Sequence, residues 1–324
     1  MGSFLDAQKP IFIRAKCQLF EQNLAGYRKL GDRAGIAWSL NGMGGAVTYR
    51  GDYAAARALY EESLAIFREL QDRRGIAWSL GHMGDMAVDQ GNYVAARTLY
   101  EESLLIHREI GERLGIAHAL LGLGRALGQS DYAAARAPLE EGLAILRELG
   151  GRWGIAWSLN LLGEVARSQG HYGQAEALYS EGLALLRKMG HKWGAALLLH
   201  NLGHVALHEG DFQRAATLFV ESLSLYQELG NGRQLVLCLA GLGGIAGATG
   251  QPQRAVRLFG AVAALSETLD ARMDPIDRDA FNHNLAVVRA RMDATAFATG
   301  WSEGRAMTLK QAIAYAVPEQ AIQE

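Results

Sequence analysis

The chain has 324 residues, of which 49% are apolar and 20% charged. That balance suits a folded protein and excludes the disordered class, in which apolar content falls and net charge climbs. A formal net charge of −2, from 32 basic and 34 acidic residues, leaves no excess of one sign to draw a nucleic-acid backbone or an anionic membrane surface.

Residues 1–10 lack the basic start and apolar core of a secretory signal, and no run of eighteen apolar residues follows. Neither export nor a membrane span is expected. Cys17 and Cys238 are too far apart for metal-ligand spacing and read as two small buried thiols in a reducing, cytoplasmic compartment. From Ala15 to Leu30, the positions of Phe20, Leu24 and Tyr27 predict a helix matching the second half of the unit described next. The chain thus begins in mid-repeat, as a piece of a longer protein or a lone capping helix would.

Gly35 to Arg50 predicts a helix with Ile36, Leu40, Met43 and Val47 in phase, and Gly51-Asp52 breaks it and caps its successor. Tyr53 to Leu70 is a second helix. Its apolar stripe runs through Ala56, Tyr60, Leu64 (or Ser63), Phe67 and Leu70, with Arg57, Glu61, Glu62, Arg68 and Glu69 on the other face. The hairpin then recurs. Gly44, Gly84, Gly124, Gly163, Gly203 and Gly243 fall at steps of 40, 40, 39, 40 and 40 residues. Ala56, Ala96, Ala135, Ala175, Ala215 and Ala255 keep the same phase, as do Tyr60, Tyr100, Leu139, Tyr179, Phe219 and Phe259. Gly31-Asp32, Gln71-Asp72, Gly111-Glu112, Gly150-Gly151, Gly190-His191 and Gly230-Asn231 join the units through loops short enough to force antiparallel neighbours.

Glycine inside a helix costs roughly 1 kcal/mol relative to alanine, so the recurring glycine needs a reason. The expected one is Gly44 facing Ala56 across the hairpin, with Tyr60 filling the space beside the next unit. One hairpin cannot bury this stripe alone, so neighbours must stack. Six units result, at 32–71, 72–110, 111–149, 150–189, 190–229 and 230–270, after a partial repeat at 1–31. The third, reading Gln129-Ser130-Asp131, lacks its turn glycine and is a residue short, which predicts a local change of twist. In the sixth, Pro252 suits a first helical position. Beyond Leu269 the period stops. Pro275, Phe281, Leu285, Phe297, Trp301 to Arg305 and Thr308 to Ala316 predict three shorter helices within 271–324 that cover the last repeat.

Gly44, Gly51, Tyr53, Ala56 and Tyr60 sit at the offsets of the tetratricopeptide consensus, which the chain resembles six times over, in the long-repeat form of cell-polarity scaffolds and bacterial signalling proteins. The resemblance implies an all-α, right-handed superhelical solenoid of helical hairpins. It also implies a non-catalytic scaffold that binds a peptide or partner protein along a groove lined by first helices. The tail resembles the end of bacterial regulators in which a signalling ATPase precedes such an array. That implies an alternative role as sensor or oligomerisation module of such an ATPase or transcriptional regulator, working through a small ligand or self-association.

By similarity the groove contacts are Trp38, Asn41, Gly45, Trp78, Asp85, Asp89, His118, Arg125, Trp157, Asn160, Glu164, Arg167, His200, His204 and His208. Trp38, Trp78, His118 and Trp157 share one repeat position: they form either a ladder of anchors or packing between neighbouring first helices. Mixed charge disfavours a ligand held by its terminal carboxylate.

His200, His204 and His208 are spaced i, i+4, i+8, so two of them can share a zinc ion while the third lies about 12 Å from the first. With no carboxylate or cysteine in phase on that helix, no metal is expected. Gly241-Leu242-Gly243-Gly244 mimics a dinucleotide fingerprint, but it follows no strand and belongs to the repeat, so no cofactor is expected. The pairs Glu61-Glu62, Glu101-Glu102 and Glu140-Glu141 read as solvated faces. No nucleophile with its base stands out, so no catalytic residue and no enzyme is expected.

Overall fold

The computed structural model describes residues 8–317 except 49, 270 and 272, with side chains from Gln18 onward. The described residues form sixteen helices and no strand. They are α1 (Gln8–Leu30), α2 (Arg33–Thr48), α3 (Tyr53–Glu69), α4 (Arg73–Asp89), α5 (Tyr93–Ile110), α6 (Arg113–Gly128), α7 (Tyr132–Leu149) and α8 (Arg152–Ser168). Then come α9 (Tyr172–Lys188), α10 (Lys192–Glu209), α11 (Phe212–Glu228), α12 (Gly232–Ala248), α13 (Pro252–Leu269), α14 (Pro275–Ala290), α15 (Ala294–Arg305) and α16 (Leu309–Ala316). No helix among the described residues is long and apolar enough to cross a membrane. Cys238 is buried, and Cys17 lies outside the described side chains.

Local chemistry sets the helix ends. Gly51, at φ +80°, turns the chain after α2, and Asp52 then accepts the Ala55 amide at 3.1 Å to start α3. Asp72, Asn92, Asp131 and Asp211 cap their helices the same way. Gln71 holds the glycine conformation at φ +56° in the junction where its counterparts are glycines. Pro138 stands inside α7, which continues through it without that residue's amide bond.

The chain divides into two compact units, Met1–Val165 and Ala166–Glu324. In the first, α1 packs on α2, the hairpins α2–α3, α4–α5 and α6–α7 follow, and the first helices α2, α4 and α6 contact one another in turn. In the second, α9 packs on α10, hairpins α10–α11 and α12–α13 follow, and α14, α15 and α16 cover α12 and α13.

The packing corrects the expected Gly44–Ala56 contact. A Cβ on Gly44 would lie 2.5 Å from the Tyr60 ring, so the glycine makes room for the aromatic residue of its own hairpin. Gly84 serves Tyr100, Gly203 serves Phe219 and Gly243 serves Phe259, each leaving an added Cβ only 2.8 Å from the ring. Tyr100 and Phe219 also press on Gly122 and Gly241 of the following first helix, so each ring is wedged between two glycines. A second series was not foreseen: Gly35, Gly75 and Gly115 each admit a ring from the preceding helix, Tyr27, Phe67 and His107. Ala56 is buried on the same core, with Val47, Tyr60 and Met86.

Polar contacts repeat as well. The hydroxyls of Ser63, Ser103 and Ser222 donate to the carbonyls of Ala37, Ala77 and Ala196 at 2.7–2.8 Å, joining each second helix to its partner inside the core. On the surface Arg33, Arg73, Arg113 and Lys192 pair with Glu69, Glu109, Glu148 and Glu228 at the far end of the same hairpin. Exposed pairs of this kind contribute about 0–1 kcal/mol each. The acidic doublets are exposed and engaged likewise, Glu141 by Arg108 at 2.7 Å and Glu101 by Arg97 at 2.7 Å.

In the second unit α13 and α15 cross with little between them. Gly260 lies against the Trp301 carbonyl and Gly304 against the Arg257 carbonyl, so neither position has room for a Cβ. Phe281 meets Phe259 edge-on at 5.2 Å, and Val288 closes the cluster from α14.

Candidate functional site

The predicted groove residues of the first unit gather on α2, α4, α6 and α8. On α4 the spacing of Trp78, His82, Asp85 and Asp89 puts all four on one face, and α6 brings His118 and Arg125 beside them. Asp85 is the hub: the Tyr100 hydroxyl donates to it at 2.6 Å and His118 Nε2 lies 3.3 Å away. Burial opposes ionisation of Asp85, but His118, His82 and the Tyr100 hydroxyl outweigh it and pull the carboxyl down to about 2. Burial also disfavours the His118 cation, yet Asp85 more than restores it, and the imidazole titrates above its ordinary value. His82 is pushed by burial down to about 4 and is neutral at neutral pH. Arg125 pairs with Asp89 at 3.1 Å.

The shared ring position resolves into a mixture of packing and exposure. Trp78 stands 5.2 Å from His118 and meets His107 edge-on at 5.4 Å, and its Nε1 donates to Glu112 at 3.0 Å. Trp38 packs edge-on to Phe67 at 5.0 Å under the Arg74 guanidinium, with 37% of its surface exposed. Trp157 packs against the buried cluster of Ala117, Leu121 and Leu146 and stacks on the exposed Trp153, with ring centroids 6.0 Å apart. Every member of the row thus packs on one side and stays partly open on the other.

Four of the predicted contacts are buried in the helix packing: Asn41, Asn160, Arg167 and His200. Asn41 donates to Ser79 at 3.0 Å and Asn160 to Glu164 at 2.7 Å. The reason is phase. Asn41, Asn160 and His200 share one repeat position, one step round the helix from the open row, and Arg167 stands where other units carry Thr48, Val88 and Leu207. Gly45, Asp85, Arg125, Glu164 and His204 share another position and are only partly buried.

The second unit holds a different cluster. His200 and His204 project from one face of α10, while His208 diverges to the surface and stacks on Tyr172 at 3.6 Å. Asp277, from the first turn of α14, turns Oδ2 to His200 Nε2 at 3.3 Å and Oδ1 to His204 Nε2 at 3.8 Å, and Arg167 pairs with that same Oδ1. Burial resists the Asp277 charge, but Arg167 and both imidazoles hold the carboxyl well below the usual range. Burial likewise resists a His200 cation, and the bond to Asp277 overcomes it and raises the group to about 9. His204 is driven well below its ordinary value by burial. The carboxylate that α10 itself does not offer in phase is supplied by α14.

Sequence reasoning missed Glu112, His107 and Asp277. Two of them were signalled: Glu112 replaces the short capping aspartate of Asp32 and Asp72, and His107 occupies the position of Phe67. Cys238 lies near His200, but it is buried and shares its thiol with Ser222 at 3.4 Å, which denies a substrate access to it.

Repeated two-helix units, in which a helix glycine makes room for a large side chain of the same hairpin, define an α-helical repeat protein of the interaction-scaffold class. The tetratricopeptide repeat family model matches residues 17–69, 75–148 and 194–268, more than half of the chain, which therefore belongs to the tetratricopeptide repeat family. Among solved structures it is similar to BtubC (BKLC) from P. vanneervenii, at 20% identity and TM-score 0.57 over 68% of this chain and 92% of that one. It is also similar to a Rap protein complexed with competence and sporulation factor, at 13% identity and TM-score 0.57, covering 83% of this chain and 76% of that one. A third likeness is to the signal transduction ATPase with numerous domains and a tetratricopeptide repeat sensor from Pyrococcus horikoshii. It has 13% identity and TM-score 0.54, and covers 93% of this chain but 47% of that one. Among curated proteins no sequence matches.

Proposed function

We propose that the chain is a non-catalytic scaffold that takes a peptide, or an extended segment of a partner protein, across the inner face of its first helices, and works in cytoplasmic signalling. The observation that carries this reading is the row of partly open rings Trp38, Trp78, His118 and Trp157 at one repeat position, flanked by Asp85, Asp89, Arg125 and Glu164. A segment laid across successive helices meets one flat ring per repeat, and aromatic residues concentrate binding energy. The mixed charges beside the rings select register and sequence more than they add affinity. The Rap protein solved with competence and sporulation factor supports this use of a similar fold.

Trp78→Ala and Trp157→Ala should keep the helical circular dichroism of the parent and lose capture of its partner in a pull-down read by mass spectrometry. Recovery of the same partner at unchanged strength by both variants rejects the groove. The second reading, a sensor or oligomerisation module of a bacterial signalling ATPase or transcriptional regulator, draws on the 93% of this chain matched to the P. horikoshii structure. An ATPase encoded in frame with this array supports that reading.

A further inference from the structure

The cluster of the second unit has a use that a peptide groove does not require. His200 and His204, four residues apart on α10, offer two imidazole nitrogens, and Asp277 on α14 offers a carboxylate oxygen. The three donor atoms lie within 4.8 Å of one another. Asp277 Oδ2 stands 3.3 Å from His200 Nε2, and Oδ1 stands 3.8 Å from His204 Nε2. Donors about 2.0–2.1 Å from one tetrahedral ion are separated by about 3.3 Å along each edge, so the His200–Asp277 contact already has that spacing, and the remaining donors, within 4.8 Å, must draw in to reach it.

All three side chains line one small cavity, together with Leu237, Ala240, Met273, Phe281 and Asn284. Arg167, paired with Asp277, supplies the outer partner that orients a ligating carboxylate. We propose that His200, His204 and Asp277 form a binding site for a divalent transition-metal ion of the zinc class, its fourth position open to that cavity. Nitrogen and carboxylate donors suit zinc, cobalt or nickel better than calcium or magnesium, which take oxygen. Entry of the ion replaces the direct His200–Asp277 contact and ties α14 to α10.

The test is titration of the untagged, metal-free full chain with Zn2+ by calorimetry and with Co2+ by visible absorption. The expected result is one ion per chain, a ligand-field spectrum of tetrahedral Co2+, and a raised melting temperature. His204→Gln and Asp277→Asn should each weaken binding by at least about tenfold. His208→Ala, at the exposed end of the same helix, should leave it unchanged. The wild-type spectrum decides the matter even if a variant fails to fold. A chain that binds neither ion stoichiometrically, shows only octahedral Co2+, or binds equally well as His204→Gln carries a plain ion-pair network there, and the proposal is wrong. The outcome is independent of the ring row Trp38, Trp78, His118 and Trp157 and the charges beside it, which lie in the other unit.

Discussion

Glycine plays opposite parts at different positions of this chain, and the neighbours of each one decide which. Gly304 abuts the Arg257 carbonyl, which cannot move without carrying α13 with it. Gly304→Ala gains about 1 kcal/mol of helix propensity but incurs about 1–3 kcal/mol of overpacking, so a net loss and a melting temperature a few degrees lower are expected. Gly26, inside α1, has nothing within 4 Å of an added Cβ. Gly26→Ala should raise the melting temperature, by up to about 1 kcal/mol of stability. Charge at Asp85 gives a second expectation with a definite sign. Its carboxyl falls from 3.8 to about 2 on folding, so its contribution is present above pH 3.8 and lost as pH falls through 2. His118 rises above 6.5, so its contribution is present below that pH and lost as pH climbs through the raised value. The melting difference between wild type and Asp85→Asn should therefore peak between pH 3.8 and 6.5 and shrink on both sides. A difference that grows steadily towards alkaline pH would refute the pairing.

At the scale of elements, α7 departs furthest from its counterparts. Pro138 occupies the position of Leu59, Leu99, Leu178, Leu218 and Leu258, and removes one amide from the helix. Leu99 at that position packs against the buried cluster of Ala87, Val88, Ala96, Tyr100 and Ala126. Pro138→Leu restores both the hydrogen bond and the apolar contact, and a gain of about 1–3 kcal/mol in denaturant unfolding is expected. The hairpins themselves were legible because glycine, capping aspartate and ring recur at fixed offsets, and each offset has a local cause. What the period concealed was the partner of each glycine. Both Ala56 and Tyr60 lie in phase with Gly44, and only packing distance tells that the ring fills the gap. The open and buried phases of the first helices were blurred for a similar reason. Asn41 and Trp38 are three residues apart on α2, close enough to be assigned to one face and far enough for one to be covered.

Across the whole molecule, the repeats and the capping helices after them were readable, and a side-chain partner brought in from outside the repeats was not. Asp277 reaches Arg167 across 110 residues of chain, and no offset within the repeats points to it. A trace of it existed: an arginine at a phase held elsewhere by Thr48, Val88 and Leu207 requires a buried counter-charge from somewhere. The same contrast bears on how such a chain can change length. Because Tyr100 is clasped by Gly84 behind it and Gly122 ahead of it, the natural module of exchange is the interval from one ring to the next. Recombination that respects that interval adds or removes a repeat and leaves every seam filled, whereas a cut a few residues out of phase strands a ring against a helix with no recess to receive it.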